Sequence, residues 1–175
     1  MLQNRKESIT IIIFILLLVL SRIIVEIPNF TPTVALIMFA SVLLKDKLSF
    51  IVCVIFSQII SDAYLGFYDG MLFTYLAYLI IGFATSGLVK ELKFSKILFM
   101  AVVSPILFFL ITNFGVWYSM DLYQPNFEGL THSYVAGIPF LKMTMTATIL
   151  YSVTIYVIYK YIIHMPESIF KSSKK

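Results

Sequence analysis

Asn113 and Trp117 close an apolar run within the segment Thr112-Asn-Phe-Gly-Val-Trp117. Four residues apart, they share one face of a helix. The amide offers both a donor and an acceptor. The indole offers a flat face for stacking. Side by side at a membrane surface, the two could hold a flat polar molecule. The same residues also fit ordinary helix-end chemistry, since indoles favour the membrane interface and asparagine often ends helices.

Charged residues add to this set. Arg22 and Lys142 stand in apolar context, where a charge is costly and points to a site or a buried pair. Arg22 and Glu26 are four apart and could pair with each other, although the order is the weaker one for a helix. Lys142 has no acidic neighbour in sequence, so Asp62 is its expected partner across the bundle. Gln58 and Asp62 also share a helical face. Arg22, Glu26, Gln58, Asp62, Asn113 and Lys142 all fall at a similar depth, which predicts one outward-facing polar site. Snorkelling of Arg22 and Lys142 to the headgroups is the plainer alternative. Aromatic residues crowd the same side, Tyr134 among them. Residues 119–137 are too long and too aromatic for a simple linker and predict a lid or a surface-lying segment. His132 lies within it as a weaker candidate.

These residues need elements to hold them. The chain has 175 residues, 60% of them hydrophobic and only 13% charged. That composition excludes an ordinary soluble domain and predicts an all-α polytopic membrane protein. Six spans are expected: Ile9–Ile27, Pro32–Leu44, Leu48–Leu65, Met71–Val89, Ile97–Tyr118 and Ile138–Ile163. The second is short, with Thr31 as its expected cap and Pro32 at its first position. The sixth must tilt or extend beyond the bilayer. They form one domain over residues 1–165, followed by a basic cytoplasmic tail over 166–175. The start resembles a signal peptide, but no small-residue cleavage site follows, so a retained first helix is expected.

With six spans, eleven of the 13 basic residues fall on one side. By the positive-inside rule both termini are then cytoplasmic. This sorting accounts for the net charge of +4 without nucleic acid. The single cysteine, Cys53, reads as a small buried apolar group. Gly66 and Gly70 fit turn chemistry rather than a helix-pairing motif.

Several classes are excluded. No phosphate-cradling Gly-rich loop is present. No His/Glu pair has metal-ligand spacing. No serine–histidine pair or paired acids lie within the spans. The chain is therefore expected to be neither an enzyme nor a holder of a metal or cofactor.

The run Asn29-Phe30-Thr31-Pro32, Ala35-Leu36, Phe39-Ala40, Ser61-Asp62, Leu65-Gly66, Thr112 to Trp117, Tyr123, Pro125, Gly129-Leu130, Tyr134 and Pro139-Phe140 resembles a family of small bacterial membrane proteins of unknown function. That family in turn resembles the substrate-binding S components of energy-coupling factor (ECF) vitamin transporters, in size, six helices, a short second helix and a Ser-Asp-x-x-Leu-Gly turn. The resemblance implies an S-component-like bundle binding a vitamin-like micronutrient at its outer face. It also implies a membrane coupling subunit and ATPases as partners. The A-x-x-x-A coupling motif of such first helices is absent, because the first span has no alanine. On this reading Asn113, Trp117, Asp62, Arg22, Lys142 and Tyr134 bind the solute. The alternative is a membrane subunit that scaffolds a larger complex without transporting anything.

Overall fold

Among the described residues, apolar runs broken by Pro, Gly, Asp and Lys fold into six α-helices in the computed structural model: α1 (Leu2–Ile23), α2 (Thr33–Leu43), α3 (Lys47–Leu65), α4 (Met71–Leu88), α5 (Phe94–Ser119) and α6 (Phe127–Ile158). A short π-helical turn, Tyr159–Ile163, extends α6. The structure describes residues 2–25, 27–44 and 46–163, with side chains over 7–161 apart from 26 and 45. Glu26, Lys45 and the expected tail over 166–175 lie outside these residues, as do the side chains of Arg5 and Lys6.

The arrangement is inside-out by the standard of a soluble protein. Ile9, Ile12, Ile13, Leu16, Leu17 and Leu20 form an exposed apolar face on α1. Leu72, Leu76, Ile80 and Phe83 do the same on α4. Contiguous apolar surface of this extent calls for lipid or a partner. Among the described residues, α3, α4, α5 and α6 with its extension are long and apolar enough to cross a membrane.

The expected count of six spans is only partly met. Helix α2 has 11 residues and rises about 16 Å, well short of the ~30 Å hydrocarbon core. Thr33 to Ser41 are all buried, so α2 is a central post wrapped by the other helices. Its start also differs from expectation. Pro32 occupies the cap position with no side-chain cap bond, and Thr31 instead meets Thr33, hydroxyl to hydroxyl, at 3.0 Å.

Two boundaries move further. Helix α1 begins at Leu2 because Arg5, Lys6 and Glu7 are good helix formers outside the apolar run. Helix α6 begins at Phe127, where the Asn126 side chain accepts the Gly129 N–H at 2.8 Å. Residues 127–137 are therefore three helical turns, not a lid, and the connection from α5 is confined to 120–126. At the other cap, the Ser49 N–H donated to Asp46 at 2.7 Å holds that carboxyl below its usual range.

The helices converge at two chemically different ends. At one end a Cβ on Gly70 would touch the Ser119 hydroxyl at 3.0 Å, and Asn29 shares a cleft with Met120, Leu122 and Tyr123. Gly66 and Gly70 take positive φ angles of 103° and 85° there, which makes the α3–α4 turn a glycine requirement. At the opposite end Phe94 meets Tyr156 with ring centroids 5.3 Å apart. Lys90 and Lys96 donate to the last carbonyls of α4, at Ser86 (3.2 Å) and Leu88 (2.9 Å), a favourable place for cations.

Candidate functional site

Two polar sites form near the first of these ends. The first is a clamp around Arg22, in the last turn of α1. One guanidinium nitrogen lies 2.5 Å from Oδ1 of Asp62 on α3. Another donates to Gln58 at 2.8 Å and to the Ser61 hydroxyl at 2.6 Å. The Tyr75 hydroxyl of α4 donates to the second Asp62 oxygen at 2.6 Å. Gln58, Ser61 and Asp62 have no solvent exposure at all. The pair thus ties three helices, and each charge is met by the other. Nearby, the Tyr68 hydroxyl donates to Thr74 at 3.0 Å, and burial raises that phenol above its ordinary range.

The second site is a cleft of about 330 Å³ between α5 and α6. Its polar edges come from Asn29, Thr112, Asn113, Tyr123 and Ser133, and its ring surfaces from Phe108, Phe109 and Phe140. Among the described residues no charged side chain lines it. The Asn113 amide nitrogen donates to the Phe109 carbonyl at 2.9 Å. That carbonyl can only accept, so the bond fixes the amide with its oxygen as the other end. A Cβ on Gly137 would collide with this amide. Gly137 is therefore what lets α6 close over Asn113. Pro105 also lines the cleft from inside α5, where proline removes a backbone donor.

The expected residues separate across these sites. Arg22 and Asp62 meet, as does Gln58. Asn113 lies in the cleft. Trp117 does not line it, despite standing four residues from Asn113. Its ring nitrogen donates to the Gln124 carbonyl at 3.0 Å, pinning the α5–α6 turn. Tyr134 faces a different surface, with its hydroxyl on the Leu110 carbonyl at 2.8 Å and its ring 5.6 Å from Phe109. Lys142 is exposed on α6. It is not the partner of Asp62, whose carboxylate is already taken by Arg22 and Tyr75. The expected Arg22–Glu26 pair falls outside the described residues. His132 is exposed, and no group of three or more metal-ligating side chains occurs among the described residues.

A family model matches residues 2–169. The chain belongs to DUF6580, a family of unknown function. No curated protein and no solved structure matches it.

Within this DUF6580 chain, Tyr75, Ser61, Tyr123, Ser133 and Gly137 complete the two sites without having been singled out for them. Tyr75 carries a usable signal, because the glycine turn over 66–70 folds α4 back onto α3. Gly137 has none until its neighbour on α5 is known.

Proposed function

We propose that the chain is the solute-binding subunit of a micronutrient transporter, resembling an ECF S component in the inner membrane with both termini cytoplasmic. The observation that carries this reading is the uncharged, aromatic-walled cleft at Asn113. Its volume lies at the lower end of the range for small-molecule sites. The lining suits a small uncharged solute with a flat ring. Phe108 and Phe140 offer ring faces, and the Asn113 amide oxygen accepts from a donor on the solute edge.

The other expected residues take supporting parts. Trp117 and Tyr134 brace the two sides of the α5–α6 seam. Arg22 and Asp62 neutralise each other and act as a clamp rather than as contacts for an anionic group. Lys142 is left as a partner-facing or headgroup-facing cation. A membrane coupling subunit and ATPases would supply the energy, through a surface other than the missing alanine motif.

Native mass spectrometry of gently purified protein tests the proposal. The expected result is a co-purifying small molecule that Asn113→Ala loses. Wild-type protein that emerges empty, with stoichiometric membrane partners and no ATPases, would replace this reading with the scaffold one.

A further inference from the structure

A second cleft of about 420 Å³ opens at the basic end of the bundle, lined by Leu92, Tyr156, Tyr159 and Lys160. It lies between the α4–α5 turn and the end of α6. The Lys160 ammonium sits 5.9 Å from the Tyr156 ring centroid and 5.5 Å from that of Tyr161. Tyr156 is itself fixed by Phe94. Two ring faces thus hold the ammonium in place by their negative faces. Among the described residues Lys160 has no acidic partner, whereas Lys93 is paired with Glu91 at 3.5 Å.

The surroundings select the ligand. Lys90 and Lys96, on either side of the α4–α5 turn, add positive field while their ammoniums cap α4. Val157 and Ile158, adjoining the cleft residues in sequence, are exposed and apolar, as are Leu88 and Phe94 across the turn. A group that is anionic at its head and apolar behind it satisfies both features. The helix also changes hydrogen-bonding pattern here, from α to π at Tyr159, a local irregularity often found at functional positions.

We propose that this cleft binds the headgroup of an anionic phospholipid, with Lys160 on the phosphate and the acyl chains along the apolar flanks. Basic pockets between membrane helices take such headgroups by the same chemistry. The proposal is independent of whether the Asn113 cleft holds a solute.

The test uses the full chain in detergent, titrated with phosphatidylglycerol or phosphatidylcholine of identical acyl chains and followed by native mass spectrometry. Phosphatidylglycerol should bind more tightly. Lys160→Gln should weaken it about fivefold, one lysine's share at an anionic surface, while Lys160→Arg should keep most of it. Lys47→Gln, an exposed lysine elsewhere on the same end, should leave it unchanged. Equal binding of both lipids, no effect of Lys160→Gln, or an equal effect of Lys47→Gln would each overturn the proposal. Displacement of the lipid by millimolar inorganic phosphate would also overturn it, by assigning the cleft to a free anion.

Discussion

Arg22 makes contacts with three side chains of a single helix face, and Asp62 is reached from two helices. Removing one member of a buried pair leaves a stranded charge, at a cost of about 3–5 kcal/mol. Asp62→Asn is therefore expected to lower the unfolding midpoint in detergent strongly. The double variant Arg22→Met with Asp62→Leu should recover most of that loss. If the double variant is as unstable as the two single losses added together, the clamp is not a mutual neutralisation. The spacing of Gln58 and Asp62 made this face legible in the sequence. The partner was not, because depth along a helix says nothing about facing. Lys142 and Arg22 looked equivalent by depth, yet only Arg22 points inward. Tyr75 had a signal in the glycine turn over 66–70, but a tyrosine near a helix end reads first as one more ring of the aromatic belt.

At the scale of elements, the apolar runs of α3, α4 and α5 gave boundaries close to those observed. The start of α6 did not follow from the pattern. Gly129, Thr131, His132, Ser133 and Gly137 look like loop chemistry when read in order. Their reasons are tertiary: a Cβ on Gly129 would collide with the Gln124 backbone, and one on Gly137 with Asn113. Ser133 reaches the Asn113 carbonyl at 3.3 Å. Hydrogen exchange should find the amides of 130–137 protected like the centre of α6. Exchange as fast as that of 120–126 would bring the lid back. Asn126→Ala, which removes the cap, should speed exchange over the first turn of α6 and cost about 1 kcal/mol.

Across the whole molecule, Asp69 and Asp121 stand in turns at one end of the bundle, and Lys90, Lys93 and Lys96 cluster about the α4–α5 turn at the other. Cys53 is buried, so the wild-type chain should resist a maleimide in intact cells. Asp69→Cys should label from outside with an impermeant reagent, and Lys93→Cys only after the cells are opened. Labelling of both from the same side would break the alternation of helices on which the topology rests.

Helix α2 has a consequence for how the chain is built. It is too short to settle in lipid by itself, and its flanks Thr33 and Ser41 are fully enclosed. The elements that enclose it include α4 and α6, which are synthesised later. An emerging chain must therefore hold α2 unfinished, at the membrane surface or in a chaperoning groove, until its walls arrive. Assembly of the bundle is then a post-insertion step, and α6, the later of these two walls, completes the centre.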